Sequence, residues 1–162
     1  MLNSQTKLVK QNANSEQIKN RCDALNSPVV FTNGCFDLLH RGHTTYLEQA
    51  RNLGNSLIVG VNSDASVKRQ NKGDDRPLNA LADRMSVLAS LECVDLVVSF
   101  DEDTPFNLIS TVMPSILVKG GDWQVAEIVG ADIVVANGGQ VHSIEFQYDR
   151  STTQLLNRIR KT

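Results

Sequence analysis

Runs of apolar residues that do not alternate with polar ones constrain the fold of this chain most strongly. They are rich in Val and Ile, are bounded by Gly, Asn or Pro, and read PVVFTNG, SLIVGVN, DLVVSF, SILVKGG and DIVVANGG, with VHSIEF as a weaker candidate. A strand of this kind is buried on both faces, which is typical of a parallel sheet covered by helices. The predicted fold class is therefore α/β, with a doubly wound, mostly parallel sheet and helices on both faces.

Segments with the apolar spacing of amphipathic helices lie before and between these runs. They read SEQIKNRCDAL, HTTYLEQARNLG, LADRMSVLASLECV and TPFNLISTVMP, and Pro114 ends the last of them. A chain of 162 residues is long enough for one domain with a buried core and too short for two ordinary ones. We therefore predict a helical lead-in over residues 1–27 and a single domain over residues 28–162.

Charge and composition narrow the class of partner. The net charge is −2 and 21% of the residues are charged, so no face has the excess of Lys and Arg that nucleic acid requires. The apolar runs are far shorter than the roughly 20 residues that cross a bilayer, and the first residues lack the apolar core of a signal peptide. The three cysteines form no CxxC. We expect a cytoplasmic protein that binds small molecules, with no nucleic-acid or membrane partner.

The segment FTNGCFDLLHRGH follows the first predicted strand and holds His40 and His43 on either side of Gly42. If a helix begins near residues 39–42, the two imidazoles project from its first turn on one side. Gly42 lets a ligand approach the backbone, and a helix N-terminus favours an anion such as phosphate. Imidazole donors placed there stabilise the negative charge that builds on phosphorus as it is attacked.

Two other interpretations of the histidines stay open on the residues alone. A pair at this spacing is half of a metal site, although no third ligand of Cys, Asp or Glu type lies close by at metal spacing. Histidines that cap or pack a helix are also common. The loop itself is neither a GxxxxGK[ST] phosphate loop nor a GxGxxG loop, so its chemistry has to come from the histidines.

The stretch GCFDLLHRGH resembles the HxGH signature of a nucleotidyltransferase superfamily. That superfamily includes cytidylyltransferases, pantetheine-phosphate adenylyltransferase and the cores of class I aminoacyl-tRNA synthetases. The resemblance covers about residues 28–160 and is closest to the adenylyltransferases of the ADP-heptose pathway. It rests on FTNGCFDLLHRGH, VGVNSDASVK, RPLNALADR, LVKGGDW and DRSTT. It implies a Rossmann-like HxGH fold.

The resemblance also implies a reaction without a covalent enzyme intermediate. A phosphate oxygen of the substrate attacks the α-phosphorus of a bound nucleoside triphosphate in line, and pyrophosphate leaves. His40 and His43 would be the catalytic residues, contacting the α-phosphate and the bridging oxygen, and Asp37 would also brace their loop. The implied nucleotide-binding residues are Thr32, Asn33, Gly34, Phe36, Asp37, Gly42, Lys119, Gly121, Asp122, Ser151 and Thr152.

The implied substrate-binding residues are Asn62, Asp64, Lys72 and Arg84. Asn62 and Asp64 end the second strand and are expected to bind substrate hydroxyls, while Lys72 and Arg84 would clamp phosphate oxygens. Asp64 has an alternative interpretation as a cap for the helix that begins at ASVK, and the charges around Lys72 as a solvated run.

Motifs later in the chain carry alternatives too. LVKGGDW is also read as a tight turn with a partly exposed Trp, and the hydroxyls of STT as helix caps. The residues before Ser151 are Asp149 and Arg150, where the family has Gly-Ile.

The resemblance implies an adenylyltransferase that transfers AMP from ATP to D-glycero-β-D-manno-heptose 1-phosphate. The products would be pyrophosphate and ADP-heptose for lipopolysaccharide or a related glycan. Mg²⁺ would be carried by the phosphates of ATP, with no metal ligand from the protein. We expect a homo-oligomer, specifically a dimer. The residues before the first strand are too few for the sugar-kinase domain fused to some relatives, so a separate kinase is expected.

Two alternative functions remain at this point. One is a cytidylyltransferase that acts on glycerol 3-phosphate or a similar alcohol phosphate. The other is a nucleotide-binding regulatory module without turnover. The presence of both His40 and His43 favours an enzyme, because a sensor has no transition state to stabilise.

Overall fold

A five-stranded, all-parallel sheet forms the centre of the molecule, as predicted. The computed structural model describes residues 3–70, 75–148 and 152–159. The strands are β1 (Val29–Gly34), β2 (Ser56–Asn62), β3 (Leu96–Phe100), β4 (Ile116–Gly120) and β5 (Gln140–Ile144). Their order across the sheet is β3-β2-β1-β4-β5, and every neighbouring pair is parallel.

Helices cover both faces of this sheet. They are α1 (Ser15–Asp23), α2 (Arg41–Arg51), α3 (Asp64–Arg69), α4 (Leu81–Ala89), α5 (Phe106–Val112), α6 (Ala131–Ala136) and α7 (Thr152–Ile159), with 3-10 turns at Ser4–Lys7 and Val125–Glu127. Buried side chains of α2 and α4 pack with the strands in one apolar cluster, and those of α1, α5 and α6 in a second. The two clusters confirm a doubly wound sheet with a core on each face.

The run DIVVANGG was predicted as a strand, and that prediction is wrong. It forms helix α6, while the weaker candidate VHSIEF supplies β5. Ala131 and Val134, three residues apart, are buried, whereas Val135 is 56% exposed. That is helical burial, and a short apolar run does not reveal its period without flanking context.

The predicted lead-in contributes to the core. The N–H of Val9 donates to the carbonyl of Val97 in β3 at 3.0 Å, and Val9 and Cys22 are buried in the apolar cluster. The Arg21 guanidinium donates to the carbonyl of Leu8 at 3.2 Å, which fixes α1 against the segment before it. Residues of the lead-in therefore pack on the edge of the sheet. The division of the chain after residue 27 stays a prediction.

The strand order reverses at β1, and this reversal positions the site. The chain passes from β1 outward to β2 and β3, then crosses to β4 on the other side of β1. The last pair between β1 and β4 is Phe31 with Leu117, whereas β1 stays paired with β2 as far as Gly34 with Val61. The carboxyl ends of β1 and β4 therefore separate, which opens a crevice where ligands bind in sheets of this type.

No helix of the described residues is both long and apolar enough to span a membrane.

Candidate active site

The crevice between β1 and β4 contains a cavity of about 100 Å³. Its lining consists of Asn33, Pro105, Leu117, Val118, Lys119, Trp123, Glu127, Ile128 and Val129. The walls are mainly apolar; Asn33 and Lys119 lie near strand ends, and Glu127 lies in the 3-10 turn. Two predicted nucleotide-binding residues, Asn33 and Lys119, face this space from the neighbouring strands.

The histidine pair stands at the start of α2. His40 is the N-cap in extended conformation, and the helix begins at the next residue. The rings of His40 and His43 stack with centroids 3.8 Å apart and planes at 24°. The Phe36 ring meets His43 edge-on at 5.4 Å. The expectation that both imidazoles lie on one side of the first helical turn is confirmed by this geometry.

Burial keeps both imidazoles neutral near pH 7. Burial, together with a smaller contribution from the neighbouring His40, lowers the pKa of His43 to about 4, against an opposing hydrogen bond with the backbone of Leu38. Burial also lowers the pKa of His40. Among the described residues, the Nδ1 atoms of both histidines are buried without a hydrogen-bond partner. A neutral imidazole keeps one N–H donor, so each ring can donate one hydrogen bond to an incoming anion.

Glycine is required twice in this loop because rings occupy the space of a side chain. A Cβ on Gly42 would lie 3.1 Å from Cε1 and Nδ1 of His40. A Cβ on Gly34 would lie 2.9 Å from the Phe36 ring. The structure thus gives Gly42 a role the sequence did not suggest, which is to let the His40 ring pack against the helix start.

Asp37 braces the histidine loop, as expected. Its carboxylate accepts from Nε of Arg76 at 2.6 Å and from the N–H groups of Leu78 and Asn79 at 2.8 and 2.9 Å. Burial raises the pKa of Asp37, but hydrogen bonds from Asn79, Leu78 and Arg76 outweigh it and hold that pKa below its usual value. The side chain is 1% exposed. The carboxylate therefore ties the loop to segment 76–79, and this geometry does not support a nucleotide contact by its side chain.

The side chains of Thr32 and Asn62 face the interior, contrary to prediction. Thr32 is fully buried, and its hydroxyl lies 2.5 Å from the hydroxyl of Tyr46. Asn62 is 3% exposed, and its Nδ2 donates to Oγ of Ser66 at 3.0 Å. Asn62 is the last residue of β2, and Thr32 lies two residues before the end of β1. Their side chains therefore shape the site from behind and do not line the cleft.

Arg84 is buried and committed to the protein. Its guanidinium donates to the carbonyls of Asn79, Cys35 and Asn62 at 3.0, 2.6 and 2.8 Å, and to Oδ1 of Asp64 at 2.7 Å. The side chain has no exposed surface. The predicted role of Arg84 in holding substrate oxygens is not supported by this geometry.

Asp64 is the exposed member of that ion pair. Its side chain is 42% exposed, while Ser63 caps α3 by accepting from the N–H of Ser66 at 3.0 Å. The alternative interpretation of Asp64 as the helix cap is therefore wrong. Arg84 fixes one carboxylate oxygen of Asp64, which leaves the other side of the group open at the carboxyl end of β2.

The segment after β4 forms a tight turn with a partly exposed Trp, as one interpretation held. Gly121 has φ +115°, a left-handed conformation that favours glycine. Nε1 of Trp123 donates to the carbonyl of Gly120 at 3.2 Å, and the Lys119 ammonium lies 5.8 Å from the indole. Asp122 is exposed. The contacts with nucleotide predicted for this segment stay predictions.

The start of α7 approaches the histidine loop. The hydroxyl of Thr152 donates to the carbonyl of Leu38 at 3.4 Å, so two motifs far apart in sequence meet there.

Two of the predicted site residues, Lys72 and Ser151, lie outside the described residues. The sequence analysis gave no site role to Phe146 and Tyr148. Aromatic residues make up 5% of the chain, so the spacing FQY just before the STT motif was an available signal.

The cytidylyltransferase-like family matches residues 31–155, from β1 through the first turn of α7. This range holds the histidine pair, the crevice and both approaching segments. The chain belongs to the cytidylyltransferase-like family. The membership predicted from the HxGH resemblance is confirmed.

Individual relatives of this family member share about half of its residues. A D-beta-D-heptose 1-phosphate adenylyltransferase from Bordetella bronchiseptica is 53% identical over 83% of this chain and 83% of its own length. The bifunctional protein HldE from Pseudomonas fluorescens is 56% identical over 86% of this chain. The match spans 29% of that longer protein.

Solved structures with the same fold are also found. The lipopolysaccharide core biosynthesis protein from Thermoplasma volcanium has a TM-score of 0.59 at 28% identity, covering 75% of this chain and 98% of that one. A pantoate-beta-alanine ligase from Francisella tularensis has a TM-score of 0.60 at 14% identity, covering 96% and 78%. The second likeness shows the fold alone.

Proposed function

We propose that this chain transfers AMP from ATP to D-glycero-β-D-manno-heptose 1-phosphate, giving ADP-heptose and pyrophosphate. The observation that carries the proposal is the stacked pair His40 and His43 at the start of α2. The substrate assignment is supported by the relative named a heptose 1-phosphate adenylyltransferase, which is 53% identical along 83% of both chains.

The two histidines act on charge that exists mainly in the transition state. A phosphate oxygen of the sugar phosphate forms a bond to the α-phosphorus, and the bond from that phosphorus to the bridging oxygen breaks. Pyrophosphate takes the electron pair and leaves. His40 and His43 donate to the α-phosphate oxygens and the bridging oxygen, and the N-terminus of α2 adds its dipole. Donors that strengthen only as charge develops raise kcat more than they raise affinity.

The nucleotide lies along the crevice in this proposal. Its base enters the cavity at the ends of β1 and β4, near Asn33, Lys119 and Trp123. Its triphosphate extends toward the starts of α2 and α7, where helix N-termini favour anions and Thr152 stands beside the histidine loop. Asp122, in the segment after β4, is also a nucleotide-binding residue in this proposal.

The sugar lies on the other side of the histidines, toward β2. Asp64 offers an open carboxylate that Arg84 holds in place. A site that hydrogen-bonds substrate hydroxyls rejects analogues that lack them by large factors. Lys72 completes the phosphate clamp in the proposal, although it lies outside the described residues.

Mg²⁺ belongs to the proposal as an ion carried by ATP. Among the described residues no group of three or more His, Cys, Asp or Glu side chains is placed to hold a metal ion. When bound to the nucleotide, Mg²⁺ neutralises charge on the departing pyrophosphate. A cytoplasmic location and a homo-oligomer, as a dimer, stay predictions.

The experiment that tests the proposal measures pyrophosphate release with ATP, Mg²⁺ and a panel of acceptors. Heptose 1-phosphate should react far faster than glycerol 3-phosphate or phosphopantetheine. Comparable rates with glycerol 3-phosphate would contradict the acceptor assignment. Binding of ATP without release by any acceptor would move the protein to the regulatory class.

The family's description as cytidylyltransferase-like favours one alternative function, that of a cytidylyltransferase. That rival uses CTP and an alcohol phosphate such as glycerol 3-phosphate. Competition between ATP and CTP at equal concentration, with the nucleotide of the product identified by mass, separates the two. An adenosine product in the majority is expected, and a cytidine product in the majority would favour the rival.

A further inference from the structure

The chain returns across the site after β5. β5 is the outermost strand, next to β4, and residues 145–148 lead from it toward the start of α2. We call residues 145–148 the closing segment. Its Phe146 ring packs on Gly120 at the end of β4, where an added Cβ would lie 2.6 Å from Cζ. The same ring meets Tyr46 of α2 edge-on, with centroids 5.5 Å apart. The closing segment therefore contacts both the end of β4 and helix α2.

The last residue of the closing segment, Tyr148, contacts the start of α2, next to the histidines. The guanidinium carbon of Arg41 lies 3.8 Å from the centroid of the Tyr148 ring. A Cβ on Gly42 would lie 3.6 Å from the carbonyl oxygen of Tyr148, so the backbones also approach closely. Among the described residues no carboxylate pairs with Arg41. The stacking on Tyr148 is thus the contact that orders this guanidinium.

Arg41 sits between His40 and Gly42, and Tyr148 comes shortly before α7. The stack therefore joins the helix start that carries a catalytic histidine to the segment that delivers Thr152 beside Leu38. A planar guanidinium over an aromatic face is a directional contact, so it fixes orientation as well as distance.

We propose that Arg41 and Tyr148 are a positioning pair that holds the closing segment and the start of α7 over the triphosphate end of the crevice. The pair acts on ATP through the placement of that segment and touches no reacting atom. The inference rests on the proposed function only in that ATP occupies the crevice. Which acceptor receives AMP does not enter it.

Two substitutions remove the stack and two preserve part of it. Arg41→Ala and Tyr148→Leu should each raise the KM for ATP roughly three- to fivefold, the value of an exposed cation–π contact. The KM for the acceptor should stay unchanged, and the midpoint of thermal unfolding should fall by no more than roughly 2–4 °C, because the stack is also lost from the protein without ATP. Tyr148→Phe keeps the ring and should behave as wild type, and Arg41→Lys should fall between. An unchanged KM for ATP in Tyr148→Leu would overturn the proposal.

The double variant separates positioning from a direct contact. If the two residues act through their stack, Arg41→Ala in the Tyr148→Leu background should add no further loss. If the two effects multiply, Arg41 acts independently of Tyr148, for example on a phosphate oxygen, and the positioning role is wrong.

A binding measurement makes the test independent of turnover. Calorimetry with an ATP analogue whose α,β-bridge is a methylene group should show the same three- to fivefold loss and the same lack of additivity. If heptose 1-phosphate is not adenylylated but the variants still lose analogue affinity without additivity, the acceptor assignment is wrong and the positioning role of Arg41 and Tyr148 is supported. If heptose 1-phosphate is adenylylated but the variants bind the analogue as the wild type does, the positioning role of Arg41 and Tyr148 is wrong. If the analogue does not bind the wild type, both fail.

Discussion

Arg84 donates to Asp64 at 2.7 Å, and the two partners differ in exposure: the arginine side chain is fully buried and the aspartate side chain is 42% exposed. A buried cation thus fixes an exposed carboxylate at the carboxyl end of β2. The arrangement leaves the carboxylate free to accept from a ligand on its open side. Arg84 therefore supports the carboxylate, and the proposed contact with the sugar falls to Asp64.

Asp64→Ala should raise the KM for the sugar phosphate more than the KM for ATP, because it removes an acceptor for substrate hydroxyls and leaves the nucleotide side intact. Steady-state kinetics with each substrate varied in turn gives both constants. Asp83→Ala, an exposed aspartate beside Arg84 on α4, is the matched control and should change neither. An effect of Asp64→Ala confined to ATP would place the acceptor elsewhere.

His40→Ala and His43→Ala should each lower kcat by about 10²-fold or more, since one donor to developing charge is typically worth about 3 kcal/mol. The affinity for ATP should fall much less. Rapid-quench turnover and calorimetric binding measure the two quantities. His142→Ala changes a histidine that bonds Gln140 on β5 and should keep full activity. Full activity in either of the first two variants would end the assignment.

The depressed pKa of His43 predicts how stability depends on pH. An unfolded histidine titrates near pH 6.5, while the folded His43 has a pKa of about 4. Between these values the unfolded state binds more protons, so the free energy of unfolding falls as the pH is lowered through this window. The loss should reach about 2 kcal/mol at pH 5 by this linkage.

Urea unfolding at pH 7.5, 6 and 5 checks this prediction. His43→Asn should show a smaller loss over the same range, because it removes the group that must remain neutral. The burial of His40 acts in the same direction and leaves part of the effect in the variant. An identical pH dependence in wild type and His43→Asn would show that His43 is not the origin.

Asp37→Asn should unfold more readily by roughly 3–5 kcal/mol, because it leaves the buried Arg76 without its charge partner. Asp101→Asn is the contrasting variant. It weakens the exposed pair of Asp101 with Arg69 and should cost about 0–1 kcal/mol. Urea unfolding of both variants at pH 7.5 gives the comparison. Equal losses would mean that Asp37 does not anchor segment 76–79.

The sheet was predictable because four of its strands are continuous apolar runs with turn residues at both ends. Helix α6 was not, because ADIVVA is as apolar as a strand and only its packing reveals a period of about 3.6 residues. The histidine pair was predictable from spacing, since residues three apart share one side of a helix. Its low pKa depends on burial by the surrounding loop, which no local pattern records.

The direction of side chains at the strand ends was the least predictable part of the site. Neighbouring residues in a strand point to opposite faces, so the adjacent residues Thr32 and Asn33 can have different surroundings. Asn33 reaches the crevice and Thr32 bonds Tyr46 in the interior. A motif names the residues of such a loop but does not say which of them face the ligand. Arg84 shows the same limit, since its role depends on the carbonyls of Cys35 and Asn62, which are distant in sequence, as well as on that of the nearby Asn79.

The fate of the α-phosphorus of ATP tests the central claim most directly. Wild-type protein is incubated with Mg²⁺, D-glycero-β-D-manno-heptose 1-phosphate and ATP labelled at the α-phosphorus, and the products are separated and identified by mass. The proposed reaction puts the label into ADP-heptose and releases unlabelled pyrophosphate in equal amount, and His40→Ala slows both products together. Label that stays in ATP, or that appears in AMP without a sugar nucleotide, would contradict adenylyl transfer to this acceptor.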